Sequence, residues 1–318
     1  MQGIVRLMSR VVFSDPAHPL AAALLARGGP WRVSTAWEGA DVAIVLTDPD
    51  GQFGRRSYAE AHPVRVATEL AARHNVSRLV VLSSATVYGA WPTNAVPLTE
   101  GAPARPVPGF DAAFYWAEGE RLLDEWVGES AQRSGCALRA APVISLAKNP
   151  LLRALWRADI RPVTDAAEWS APPWQSLSVD DLVGALLVVA EADVSGPINA
   201  APDGWVAGAD VASFGGMGLG LAARVMAPAA RALRATRATP PPVMAYVLYP
   251  WVVANDRLRA LGWAPQNTNE EALVAARPET PVDRLFGRYR QELTLAAVAT
   301  GVGAGLVGLA TLARRARR

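Results

Sequence analysis

Short apolar runs alternate with helical stretches over the first part of the chain, and this alternation restricts the fold more than any other feature. Val11-Val12-Phe13 reads as a strand. Ser14 to Pro19 is a turn, and Leu20 to Arg27 is a helix stopped by Gly28-Gly29-Pro30, since glycine takes the left-handed C-terminal conformation and proline cannot extend a helix. Trp31 to Ala36 is a second strand. Asp41 to Leu46 is a third, running into the turn-rich Thr47-Asp48-Pro49-Asp50-Gly51. A helix from about Val64 to His74 leads to the central run Val80-Val81-Leu82-Ser83-Ser84-Ala85-Thr86-Val87-Tyr88-Gly89. Strand, helix and strand in so short a rhythm predict an α/β fold, a doubly wound parallel sheet. In such a sheet the carboxyl ends of the strands face the ligand crevice. The hydroxyls that end the central run, Ser84, Thr86 and Tyr88, therefore become candidates for hydrogen bonds to a substrate.

Composition removes several function classes. The chain has 318 residues, of which 51% are hydrophobic and 19% charged, so a large core is available and disorder is excluded. A net charge of +2 is too small to attract nucleic acid. Lys148 is the one lysine among 31 basic residues, which limits amine chemistry. The single cysteine, Cys136, permits no internal disulfide framework and no thiolate cluster. His18, His62 and His74 lack ligand spacing, so no metal site is expected and the histidines read as surface or satisfied polar residues. The N-terminus lacks the apolar core of a signal peptide, so the body of the protein is expected to be cytoplasmic.

Further motifs follow in a fixed order. After the Pro-rich loop Ala102 to Pro108, Ala112 to Gly128 is a long helix containing Ala117-Glu118-Gly119-Glu120-Arg121-Leu122-Leu123. Ala137-Leu138-Arg139-Ala140-Ala141-Pro142-Val143-Ile144 reads as a strand. Gln175-Ser176-Leu177-Ser178-Val179-Asp180-Asp181-Leu182 opens a helix to Ala192, with its carboxylates at the favourable end of the dipole. Gly196 to Ala201 is another strand. Asn255 to Pro265 carries Leu261-Gly262-Trp263-Ala264-Pro265, and Glu270-Glu271-Ala272-Leu273 opens the last helix. Met244 to Val253 is apolar, with Tyr246, Tyr249 and Trp251, and serves a pocket or the core. Together these segments, roughly residues 10–280, resemble the NAD-dependent epimerase/dehydratases, the extended short-chain dehydrogenase/reductases.

The resemblance implies a Rossmann-like domain over 1–145, a smaller substrate-binding region over 146–280 and a linker over 281–292. It implies NAD or NADP as cofactor, and a small-molecule substrate such as a nucleotide sugar or a hydroxysteroid-like compound. It also implies a homodimer built partly on the helix Ala112–Gly128. Ser84 takes the position of the family's substrate-binding serine in the Ser-Tyr-Lys site, which makes it a catalytic candidate beside the substrate-binding candidates Thr86 and Tyr88, and Ser178 stands at a histidine position.

Two expected motifs are altered. Where relatives carry Gly-x-x-Gly-x-x-Gly for the pyrophosphate, this chain has Ser14-Asp15-Pro16-Ala17-His18-Pro19. Ser14 and Asp15 are the residues left to meet a cofactor there, and Glu38 is the nearest acidic residue after the second strand, for the ribose. The short Ala36–Asp41 segment trims one side of the sheet. On the long helix the family places Tyr-x-x-x-Lys, a pair on one face in which the lysine lowers the tyrosine pKa. Here Ala112 and Trp116 stand in those places, and Tyr115 is followed four residues later by Gly119. Tyr115 is retained as a catalytic candidate, with wall or core packing as its other reading. The expectation is an NAD(P)-dependent epimerase/dehydratase-like protein with an atypical site; the alternative is a non-catalytic binding or scaffolding protein.

The charge-free run from Leu293 to Ala313 reaches about 30 Å as a helix, the thickness of a bilayer core. Gly301 and Gly305 form a small-xxx-small pair, and Arg314-Arg315-Ala316-Arg317-Arg318 follows. A membrane-associated C-terminal helix is expected at 293–318, with a buried helix of a soluble protein as the other reading.

Overall fold

The computed structural model describes residues 9–48, 61–144, 172–208, 210, 242 and 245–275. Strand β1 (Arg10–Phe13) leads into helix α1 (Pro19–Arg27). Proline at the first helical position supplies the right φ without wasting a donor, and Gly28, at φ +69°, ends the helix as expected. Strands β2 (Arg32–Ser34) and β3 (Val42–Val45), helix α2 (Pro63–His74) and strand β4 (Arg78–Ser84) follow. A single 3₁₀ turn, Ala85–Tyr88, leaves β4. Helix α3 (Asp111–Gly128) then leads to strand β5 (Ser134–Ala140).

Six parallel strands form one sheet in the order β2-β1-β3-β4-β5-β8, with β8 at Gly196–Ala200. Strand addition reverses at β1, which pairs β2 on one side and β3 on the other. The sheet thus keeps the 2-1-4-5-6 part of the 3-2-1-4-5-6 order of dinucleotide-binding folds, lacks the outermost strand beside β2 and carries one further strand, β8, beyond β5. The trimmed side expected from the sequence is real among the described residues. Its consequence is visible in β2, where Arg32 and Val33 are exposed and the strand covers only part of the predicted 31–36.

Both faces of the sheet are packed. Val12, Val45, Leu79 and Val81 meet Val64, Ala67 and Ala71 of α2 and Leu122, Leu123 and Trp126 of α3. Val11, Ile44, Val80, Leu82 and Leu138 meet Leu20 and Leu24 of α1 and Leu182, Leu186 and Val189 of helix α4 (Val179–Glu191). This two-sided burial explains why the central strands read as unbroken apolar runs instead of alternating.

The segment read as one strand from Ala137 to Ile144 is two. Strand β5 ends at Ala140; after Ala141-Pro142 the chain re-forms as β6 (Val143–Ile144), paired in parallel with β7 (Leu177–Ser178) in a separate small sheet. Proline lacks the donor that would continue the ladder. Short helices α5 (Ala245–Leu248), α6 (Asp256–Ala260) and α7 (Asn269–Ala275) complete the described chain.

Candidate functional site

The reversal of strand order at β1 places the ligand crevice beyond the carboxyl ends of β1 and β3. There Ser14 donates its backbone N–H to the Ile44 carbonyl at 3.0 Å and accepts the Leu46 N–H on its side chain at 3.0 Å. These bonds join the two strand ends. Thr47 and Asp48, just past β3, are buried. Asp15 accepts the Ala17 N–H on Oδ1 at 3.0 Å, and its carbonyl accepts the His18 N–H at 3.1 Å. His18, 2% exposed, caps α1: its Nδ1 accepts the Leu20 N–H at 3.2 Å, and its carbonyl accepts the Ala21 N–H at 2.9 Å. Glu38 is exposed in the turn between β2 and β3.

At the end of β4, Ser84 and Thr86 are brought together. Ser84 Oγ accepts both the Thr86 N–H at 3.3 Å and the Thr86 hydroxyl at 3.0 Å, so Ser84 caps the 3₁₀ turn. Tyr246 covers this turn, donating its hydroxyl to the Thr86 carbonyl at 2.8 Å. Phe110 and Trp251 pack around Tyr246 at centroid distances of 4.9 and 5.2 Å. Burial pushes the Tyr246 phenol pKa well above its ordinary value. Tyr88 is 1% exposed and donates to Asn199 Oδ1 at 2.8 Å. Burial raises its pKa too, against the opposing pull of Arg139, whose guanidinium lies 4.6 Å from the ring centroid.

Behind these residues lies a buried polar row that the sequence reading did not single out. Ser83, Arg139 and Asn199 are direct register partners across β4, β5 and β8. Glu120 of α3 reaches into the row. It accepts the Ser83 hydroxyl at 2.6 Å and holds Arg139 through Nε at 3.0 Å and Nη2 at 2.6 Å. Burial disfavours the Arg139 charge, but the Glu120 bonds outweigh it and keep its pKa above the ordinary value. Asn199 passes the row on to the next loop, donating its backbone N–H to Glu100 Oε1 at 3.0 Å. Charged residues within otherwise apolar strands are the signal that could have revealed it.

On α3, Ala112 and Trp116 are buried in the core and Tyr115 turns toward α2. Its ring stacks on His62 with centroids 4.1 Å apart. His62 caps α2 as His18 caps α1, accepting the Val64 N–H on Nδ1 at 3.2 Å. Its Nε2 lies 3.0 Å from the Tyr115 carbonyl, so the neutral ring donates there. Burial lowers the His62 pKa, although the Tyr115 carbonyl and Glu118 oppose the shift. Gly119 makes this packing feasible: a Cβ there would lie 3.0 Å from His62 Cε1 and 3.2 Å from Val64 Cγ2. The position four residues after Tyr115 is thus filled by a histidine ring. The signal was present as a repeated Ala-His-Pro, at Ala17-His18-Pro19 and Ala61-His62-Pro63.

Solved structures match this arrangement over most of the chain. A UDP-galactose 4-epimerase matches with a TM-score of 0.54 at 18% identity, covering 86% of this chain and 98% of its own. RMD of Pseudomonas aeruginosa, complexed with NADPH, matches with a TM-score of 0.58 at 15% identity, over 85% and 97%. The fold is that of the extended short-chain dehydrogenase/reductases. Another protein of this fold, UDP-glucose 4-epimerase of Thermotoga maritima with UDP-glucose, matches with a TM-score of 0.56 at 14% identity, over 85% and 97%. No protein-family model matches the chain, and no curated protein matches it in sequence.

Within the extended reductase fold, Ser178 and Asp181 are joined in a structural knot. Ser178 accepts the Asp181 N–H at 3.0 Å and donates its hydroxyl to Asp181 Oδ2 at 2.9 Å. Asp181 also accepts the N–H groups of Gln266 and Asn267 at 2.7 and 3.1 Å. Trp263 of the Leu-Gly-Trp turn donates to the Asp181 carbonyl at 3.2 Å. Among the described residues no cluster of metal-ligating side chains occurs, and no helix is long and apolar enough to cross a membrane. The tail at 293–318 lies outside the described residues.

Proposed function

We propose that this chain is an epimerase/dehydratase-like protein that binds a small molecule in its crevice without running the Tyr-Lys proton relay of that class. One observation carries the reading. Ala112 and Trp116 are core residues, and the alternative register, Tyr115 and position 119, is closed by the His62 ring. Neither register supplies, four residues after the tyrosine, the lysine that lowers the phenol pKa in that class. Nucleotide sugars are the ligand class to test first, because the similar structures include epimerases, one of them holding UDP-glucose. Hydroxysteroid-like compounds come next. The apolar run 293–313 supports membrane association of a cytoplasmic body.

Calorimetry with a panel of nucleotide sugars, alongside an assay for their conversion with NAD(H) and NADP(H), tests this reading. Binding without conversion is expected. NAD(P)-dependent turnover of any of them would overturn it. Such turnover, if it fell in Ser84→Ala, would instead support the second reading, an atypical NAD(P)-dependent enzyme. The surviving Ser84–Thr86 hydroxyl pair at the end of β4 favours that second reading. Removing residues 293–318 is expected to move the protein from the membrane to the soluble fraction.

A further inference from the structure

We infer that the β1–α1 turn is closed to a dinucleotide pyrophosphate by its own hydrogen bonds, so that this turn has become a structural cap. The inference rests on the preceding reading only in taking the crevice as the ligand site. A pyrophosphate bound at this place needs free backbone N–H groups at the start of α1 and close approach of the backbone. Five of the donors can be followed one by one. Ser14 N–H is given to Ile44, Ala17 N–H to the Asp15 carboxylate, and His18 N–H to the Asp15 carbonyl. Leu20 N–H goes to the His18 ring and Ala21 N–H to the His18 carbonyl. Pro16 and Pro19 have none to give. Phosphate oxygens arriving here would also meet the Asp15 carboxylate. This chain satisfies these donors internally, two of them by side chains two residues away and three by backbone carbonyls. Each internal bond that a ligand had to displace would weaken its binding by roughly three- to tenfold.

The same device stands at the start of α2, where no cofactor phosphate is called for. His62 accepts from Val64 at 3.2 Å, as His18 does from Leu20, and each histidine is followed by proline. A motif that serves as an ordinary helix start at α2 serves as one at α1.

The test is a titration of the full chain with NADH and NADPH, followed by fluorescence and by hydrogen exchange of the segment from residue 12 to 24. A parallel titration uses the double variant Asp15→Gly/His18→Gly, which frees the Ala17 and Leu20 amides, after circular dichroism has shown it folded. The expected result is no saturation of the wild type up to millimolar cofactor and at least tenfold tighter binding by the variant. Saturable binding by the wild type with altered exchange at residues 17–21 would overturn the inference. So would a folded variant that gains nothing. Turnover by the wild type without altered exchange at these amides would leave the inference standing and instead sink the proposed function.

Discussion

Glu120 and Arg139 are both less than a tenth exposed, and their pairing shows how much one side chain can matter in this protein. Neither charge could stay buried alone. Glu120→Gln preserves shape and leaves Arg139 without a counter-charge, a loss of about 3 kcal/mol by comparison with other broken buried pairs. Urea unfolding should show it as a lower midpoint. Replacing both, as Glu120→Leu with Arg139→Met, is expected to recover most of the loss, since two apolar residues need no compensation. Gly119 poses a sharper contest. Alanine would gain about 1 kcal/mol in helix propensity. Its methyl group, however, would crowd a His62 ring already fixed by a cap and a stack, and overpacking costs about 1–3 kcal/mol. Gly119→Ala should therefore be destabilised by about 1 kcal/mol; a more stable variant in urea would show that the ring yields. Cys136, buried and with its thiol pKa pushed up to about 12 by that burial, should resist alkylation in the native state.

At the scale of elements, α2 depends on a neutral histidine. His62 must leave Nδ1 unprotonated to accept the Val64 N–H, and a proton there would also put positive charge at the positive end of the helix dipole. Arg65 discourages protonation and Glu118 encourages it, but burial is the largest influence and holds the pKa below its ordinary 6.5. The unfolded chain therefore binds this proton more readily than the folded one. Stability from the cap is complete above about pH 6.5 and is lost as the pH falls from there through the lower folded-state value. Urea midpoints at pH 7.5 and 5.5 should differ more for the wild type than for His62→Asn, which keeps a capping acceptor without titrating. Equal shifts would remove His62 from the pH response. The element ends were well placed in the sequence because their chemistry is local: Gly28 stops α1, and Asp180 and Asp181 open α4. The break of β5 at Ala141-Pro142 was less legible, because β6 exists only through its pairing with β7, far along the chain.

For the whole molecule, the question is what fastens the C-terminal elements to the sheet. Asp181 accepts the backbone N–H groups of Gln266 and Asn267, and α6 is held through Arg257 bonds to the Ser195 and Pro197 carbonyls. Asp181→Ala strands those two amides and should cost about 3 kcal/mol, as bonds to a charged acceptor are worth roughly 1.5–3 each. Limited trypsin digestion should then cut after Arg257 or Arg259 faster than in the wild type. Unchanged cleavage would mean that Trp263 and its neighbours hold the region without Asp181. The sequence by itself determined the parallel doubly wound sheet, its trimmed edge and the loss of the usual tyrosine and lysine. Each of these is written in residues adjacent in the chain or four apart, through periodicity, turn chemistry and residue type. Only the tertiary structure decided that Ser83, Glu120, Arg139 and Asn199 form one buried row, that His62 fills the space beside Gly119, and that five amides of the first turn are already taken. Those facts depend on strand register and on side chains from separate elements meeting in space, and no local pattern in the sequence encodes such meetings.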